Sequence, residues 1–398
     1  MVSPGSSEKV SRVDDTGASR EGVKLIVDAN NQFAFELYAK FNEQSKDNNI
    51  FYSPYSILTA LTMTYEGARG KTAEEMRSVL HIPEDPDARR PNFASIYNDI
   101  NNKDKPYKLS TANALWAQKD YRFLEEYTQC VEKYFGGKVT NLDFAGASEQ
   151  SRQTINKWVE DQTNNKIKDL IPPGLLNAYT RLVLTNAIYF KGTWVKQFDE
   201  KDTREEDFTT SFGKTTKVPM MRLTGQDVRF KYAKIDEMQV LEMPYSGDEL
   251  SMLIILPKAE DLAGVEESLS LEVLADWQDM LYEQRVDIFI PKFKFETKYF
   301  IAEDLKEMGM PTAFGSTADF SGMDGTKALF IQNVVHQAFV EVNEEGTEAA
   351  AATGVVMGIT SARPITPVFR ADHPFIFMII NNSTGNILFM GRVSDPST

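Results

Sequence analysis

Residues 341–363 read Glu-Val-Asn-Glu-Glu-Gly-Thr-Glu-Ala-Ala-Ala-Ala-Thr-Gly-Val-Val-Met-Gly-Ile-Thr-Ser-Ala-Arg. A strongly apolar run, residues 330–342, leads straight into this acidic and then alanine-rich segment, and Pro364 follows it. Residue types alone leave two readings open. Four consecutive alanines favour a surface helix or a linker. Against that, Gly346, Gly354 and Gly358 would each weaken a helix by about 1 kcal/mol. The second reading is a strand that must be accepted in two environments. Thr347, Ala349, Ala351, Thr353 and Val355 alternate, all small or β-branched and none charged, so in a strand they share one face. The other face holds Glu348, Ala350, Ala352 and Gly354, with Glu348 its only charge. At ~3.3 Å per residue, thirteen or fourteen such residues span about 45 Å, the height of a large domain.

Around this segment the apolar pattern is strand-like. Residues 182–190, 250–256, 286–290, 330–342, 375–380 and 387–393 are short, β-branched runs, and 381–386 (Asn-Asn-Ser-Thr-Gly-Asn) reads as a hairpin loop. Towards the N-terminus the period becomes helical. Residues 25–41 form one helix, and residues 57–65 another, with Ser53 as its cap and Pro54 in its first turn. Thr72 followed by Glu75 has the spacing of a capping box opening a third. Helices first and strands later make an α+β chain, not the alternating βαβ of a nucleotide-binding sheet. Without internal repeats or a long linker, residues 23–398 are expected as one domain, after a polar, disordered tail over 1–22.

Composition narrows the function. With 43 Lys and Arg against 58 Asp and Glu, the net charge is −15, which disfavours nucleic acid and anionic membrane as partners. Arg89-Arg90 and Lys103, Lys105 and Lys108 are small basic islands, expected on solvated faces. Cys130, the single cysteine, can form no internal disulfide and reads as a half-buried helix residue. The opening residues lack the apolar run of a secretory signal, and no run of ~18 apolar residues exists to span a membrane. The expected compartment is therefore cytoplasmic by default.

Catalytic chemistry finds little to use. Three histidines are present, His81, His336 and His373, and no Gly-x-Ser-x-Gly elbow accompanies them. No His or Cys pair has metal-ligand spacing, and Gly67-Ala68-Arg69-Gly70-Lys71-Thr72 lacks the glycine spacing of a phosphate loop. The expectation is a chain that is not an enzyme and holds neither cofactor nor metal.

The segment Glu344-Glu345-Gly346-Thr347-Glu348-Ala349-Ala350-Ala351 resembles the hinge of inhibitory serpins. Further stretches match in family order, among them residues 49–56 (Asn-Ile-Phe-Tyr-Ser-Pro-Tyr-Ser), 184–194 (Leu-Thr-Asn-Ala-Ile-Tyr-Phe-Lys-Gly-Thr-Trp), 371–375 (Ala-Asp-His-Pro-Phe) and 389–393 (Phe-Met-Gly-Arg-Val). Together they cover about residues 30 to 396, and the chain looks like a prokaryotic-type member.

The resemblance implies three β-sheets, A, B and C, about eight or nine helices, and an exposed reactive-centre loop over about 344–363. It implies an inhibitor that a serine protease attacks as substrate. The acyl-enzyme is then trapped as the hinge, Glu344 to Ala352, enters sheet A as a new strand. The partner would be a serine protease, joined covalently to a monomer, and an extracellular place becomes open as well. Ser53, Ser56, Asn186 and His336 match the family's shutter beneath sheet A, while Trp194 and Glu344 match the breach where insertion starts. By the family's count the bond cut follows the seventeenth residue from the hinge glutamate, which places it at Thr360–Ser361. Met357 lies three residues short of that register. Arg363 lies three beyond it, ahead of Pro364. A threonine before the bond suits elastase-like or subtilisin-like enzymes. Non-inhibitory members, acting as carriers, chaperones or stores, are the other reading; their hinges tend to be charged, bulky or proline-bearing.

Overall fold

The computed structural model describes residues 12–347 and 366–398, apart from 46, 103, 237 and 259–261, and without the side chains of 110–112. The N-terminal half runs α1 (Arg20–Ser45), β1 (Ile50–Tyr52), α2 (Pro54–Tyr65), α3 (Gly70–Leu80), α4 (Pro86–Ile100), β2 (Lys108–Gln118), α5 (Glu125–Phe135), β3 (Lys138–Leu142), α6 (Phe144–Gln162) and β4 (Leu182–Thr193). Five strands follow: β5 (Arg204–Thr209), β6 (Thr215–Leu223), β7 (Arg229–Ile235), β8 (Met238–Pro244) and β9 (Leu250–Leu256). Then come α7 (Leu262–Ser268), α8 (Leu271–Asp279), β10 (Tyr282–Arg285), β11 (Asp287–Pro291), β12 (Phe293–Phe300), α9 (Ala302–Met308) and α10 (Ser321–Asp324). The chain ends with β13 (Asn333–Asn343), β14 (Gly346–Thr347), β15 (Val368–Arg370), β16 (Phe375–Asn381) and β17 (Ile387–Val393).

These strands form three sheets. Sheet A has the order β12-β13-β14-β4-β2-β3, sheet B the order β1-β17-β16-β9-β8-β7-β10, and sheet C the order β15-β11-β6-β5. The expected α+β class holds, with ten α-helices among the described residues where eight or nine were expected. The short α7, α9 and α10 carry too few turns to leave a helical period in the sequence.

Helix α2 organises the centre. All twelve of its residues are buried, and it packs between β17 of sheet B and β2 and β4 of sheet A. Ser53 caps it as expected, its hydroxyl accepting from the Ser56 amide. On the other face of sheet A, α6 covers a second apolar cluster that includes Trp116, Phe144, Ile155, Val183 and Val335. Sheet B's β9, β16 and β17 are buried at every position, which is why they read as continuous apolar runs.

Several expectations are corrected. Thr72 and Glu75 form no capping box: α3 starts earlier, after Arg69, and no side chain caps it. The Thr72 hydroxyl instead accepts from the Asp319 amide, and Glu75 binds the amide and hydroxyl of Thr312, so both residues serve tertiary contacts. Arg89 is not on a solvated face. It is 4% exposed, its guanidinium bonded to Glu66 and to the Pro83 and Glu84 carbonyls, while Arg90 holds the other Glu66 oxygen. The segment expected as a disordered tail is anchored to the fold at Val13 and Asp14, and its residues from 20 onward already belong to α1. Val13 is buried and exchanges two hydrogen bonds with the Asn98 side chain, and the Asp14 amide donates to the Lys133 carbonyl. One apolar residue in a polar stretch is a weak signal, and its anchor is 85 residues away. Cys130 lies half-buried in α5 as expected, and burial, with Glu66 nearby, pushes its thiol up to about 12.

Candidate functional site

Strands β4 and β13 run parallel and pair directly from Asn333↔Val183 to Phe339↔Tyr189. Beyond that point they separate, and β14 occupies the gap. Thr347 pairs with Val342 on one side and Gly192 on the other, and Gly346 with Asn343 and Thr193, antiparallel to both neighbours. The wedge needs a glycine at its tip. Gly346 sits at φ +152°, and a Cβ there would lie 2.1 Å from the Gly192 carbonyl oxygen.

The residues at the mouth of this gap are tied down individually. Asn343 accepts from the amides of Glu345 and Gly346 through its side-chain oxygen, which shapes the reversal between β13 and β14. The Trp194 amide donates to the Glu345 carbonyl at 2.8 Å, and its indole N–H to the Asn343 carbonyl at 3.1 Å. Its ring stacks on Tyr245 with centroids 4.5 Å apart. The Tyr245 hydroxyl in turn hydrogen-bonds the Thr347 hydroxyl at 2.9 Å, inside the core. Trp194 and Glu344, expected together, share this region, each with different hydrogen-bond partners for its side chain. The Glu344 carboxylate is held by the Lys292 ammonium and the Thr203 hydroxyl, each at 2.8 Å. Burial would raise its carboxyl, but these two partners outweigh burial and hold it below the usual range. Glu345 differs: burial raises its carboxyl, Glu200 and Glu344 add to this, and one of its oxygens has no hydrogen-bond partner among the described residues.

Deeper in sheet A, the structure brings Ser53, Ser56, Asn186 and His336 into one hydrogen-bonded cluster. The Ser53 amide donates to His336 Nε2 at 3.2 Å, so that nitrogen carries the lone pair. His336 Nδ1–H therefore donates to Asn186 Oδ1. The Asn186 amide donates to Ser56 Oγ and Asn113 Oδ1, and the Ser53 hydroxyl donates to the Leu388 carbonyl of β17. Every ring nitrogen is satisfied with the imidazole neutral, and burial lowers the His336 pKa to about 3.

The folded pKa of His336 lies below the ordinary 6.5, so the unfolded chain takes up the proton first as pH falls. The contribution of neutral His336 is complete above 6.5 and is lost as pH falls toward 3. Unfolding free energy should drop by about 1.4 kcal/mol per pH unit within that window from this group alone. Comparing His336→Gln with the parent by denaturant titration at pH 7, 6 and 5 isolates the term; identical pH slopes would contradict a neutral buried imidazole.

Sequence reasoning missed Asn113, Thr203, Tyr245, Lys292 and Asn343. None carries a local signal. Tyr245 meets Thr347 across 102 positions, and Thr203 meets Glu344 across 141. Of the expected hinge and bond residues, Glu344, Glu345, Gly346 and Thr347 are described and buried, while Glu348, Ala349, Ala350, Ala351, Ala352, Thr360 and Ser361 lie outside the described residues.

A sheet with a short strand lodged between two parallel neighbours, followed eighteen residues later by a return to the edge of another sheet, narrows the candidates to one class. Residues 28–396 match the family model described as Serpin (serine protease inhibitor), and the chain belongs to that family. An uncharacterised serpin-like protein of Thermococcus kodakarensis is 45% identical, over 94% of this chain and 86% of its own length. Leukocyte elastase inhibitor A of the mouse is 42% identical, over 94% of this chain and all of its own. The crystal structure of human thyroxine-binding globulin bound to its hormone superposes with a TM-score of 0.86 at 31% identity, covering 94% of this chain and 99% of that one. One of these is named for inhibiting a protease and another for binding a hormone, so membership of the family does not by itself choose the activity.

Proposed function

We propose that the chain is a suicide-type serine protease inhibitor, cut at Thr360–Ser361, that traps the acyl-enzyme by completing the strand β14 has begun. The observation that carries this reading is the pairing of Gly346 and Thr347 with both β4 and β13. One step forward along the new strand takes one step back along both neighbours. The residue six past Thr347, Thr353, then faces the residues six before Gly192 and Val342, which are Asn186 and His336. Those two are already register partners across the parallel ladder. Insertion therefore has to break the His336–Asn186 hydrogen bond. Thr353 shares its face with Thr347, so it brings a hydroxyl to the same spot. The parallel ladder gives way to two antiparallel ones, which are slightly more stable per residue.

Connectivity supplies the trigger. The far end of the loop is anchored to sheet C, where the Asp287 amide donates to the Pro367 carbonyl. Sheet C adjoins the β14 end of sheet A at Lys292, which holds Glu344 and whose amide bonds Pro219 in β6. Insertion as far as residue 356 runs about 33 Å down the sheet from Gly346. The ten steps from residue 356 to Thr366 would then have to return the same way, and fully extended they reach about 33–36 Å. The uncut segment would have to be drawn almost fully taut, and cleavage after Thr360 removes that constraint.

The chain is expected to form an SDS-resistant complex with a subtilisin-type or elastase-type enzyme, releasing a fragment that begins at Ser361. Mass spectrometry of the released fragment reads the bond, and cleavage without any complex would overturn the inhibitory reading.

A further inference from the structure

A groove of about 700 Å³ opens beside Thr366, Pro367 and the start of β15. Its walls come from two sheets. One is sheet B, with β7 (Tyr232 to Ile235), Gln239 of β8, the edge strand β10 and Met280 just before it; the other is the start of β15, the edge strand of sheet C, with Thr366 and Pro367 before it. Nine large hydrophobic side chains stand out as exposed among the described residues, and three of them line this one groove: Met280 at 51%, Tyr282 at 61% and Val368 at 47%. Lys234 is its one charged lining residue among those described. An aromatic, a methionine and a β-branched side chain with little charge is the composition of an interface centre, not of ordinary solvated surface.

Position identifies the partner. Thr366 and Pro367 line the groove, and Pro367 is fastened to Asp287. Only residues 361–365 separate Thr366 from the bond assigned at Thr360–Ser361, a reach of at most about 18 Å. A protease domain of ~230 residues has a radius of gyration of about 17 Å and is about 45 Å across. An enzyme closed on that bond therefore extends over the groove in the encounter complex.

Resting on the inhibitory reading above, we infer that the Met280–Tyr282–Val368 groove is a secondary docking surface for the target protease. Its partner is an apolar or aromatic rim loop beside the enzyme's own active-site cleft. The loop sequence then presents the bond, while the groove selects which enzymes engage it quickly. Such a contact acts before the acyl-enzyme forms, so it changes the rate of association and leaves the fate of the complex alone.

The test uses the full chain with subtilisin and pancreatic elastase as probes. Met280→Ser/Tyr282→Ser is compared with the parent and with Tyr179→Ser, a control at a 79% exposed aromatic just before β4, at the opposite end of the sheet from β14. Melting curves check folding. The expected result is a second-order inhibition rate lowered at least tenfold against one of the enzymes by the double variant. Its stoichiometry should be unchanged, and Tyr179→Ser should have no effect. Parental rates in the double variant, with covalent complex still formed, overturn the groove alone. No covalent complex with the parent protein overturns the inhibitory reading and the protease as partner together. A parent that dimerises by light scattering, and is returned to monomer by the double variant, assigns the groove to a second copy instead.

Discussion

On the proposed mechanism, Thr347→Arg is expected to leave a chain that a protease cuts without being trapped. Thr347 is 2% exposed, paired on both sides, with its hydroxyl on Tyr245. An arginine here must either bury an unpaired guanidinium, at a cost of several kcal/mol, or stay outside the sheet. Each 1.4 kcal/mol added to the insertion barrier slows it about tenfold, while hydrolysis of the acyl-enzyme continues at its own rate. The variant should still be cut at Thr360–Ser361, with the stoichiometry of inhibition rising at least tenfold and the SDS-resistant band fading. The intact fold should survive, because only two residues of β14 leave the sheet. Undiminished complex formation would show that insertion does not pass through this position.

Loop cleavage without trapping should raise the melting temperature by at least about 10 °C. About ten inserted residues, each worth a net ~1 kcal/mol from ladder hydrogen bonds and burial after the cost of ordering, contribute ~10 kcal/mol. Unfolding a chain of this size carries an entropy of about 0.8 kcal/mol/K, so the midpoint moves by about 12 °C. Nicking the loop with a non-target protease and comparing scanning calorimetry of cut and uncut protein gives the answer. Equal midpoints would mean that the hinge remains outside after cleavage.

Much of this architecture can be read from residue order because its signals are local. The Ser53 cap with Pro54, the continuous apolar runs of β9 and β17, and the uncharged alternation from Thr347 each state their own environment. Strand β2 escaped notice for the opposite reason. It carries Ser110, Thr111 and Asn113 among its apolar residues, and Asn113 belongs there because it meets Asn186 and Ser56 beneath the sheet. His336 stands inside the apolar run 330–342, yet its tautomer depends on a Ser53 amide 283 positions away. Arg89 and the Thr72–Glu75 pair failed similarly: each residue type suited a surface or cap role, and a distant partner claimed it. Spacing along a chain carries helix and strand, while a polar side chain's partner is set by topology.

The order of strands in sheet A also bears on how the molecule is made. The bond between His336 and Asn186 joins residues 150 positions apart, whereas β14 follows β13 after only Glu344 and Glu345. A hairpin closes in microseconds, and long-range parallel pairing is far slower. On a growing chain β4 is synthesised long before β13, but the segment that would displace it on the proposed mechanism emerges immediately after. The arrangement of sheet A is then the winner of a race in time, in which β4 must reach β13 before the residues following β13 fold back.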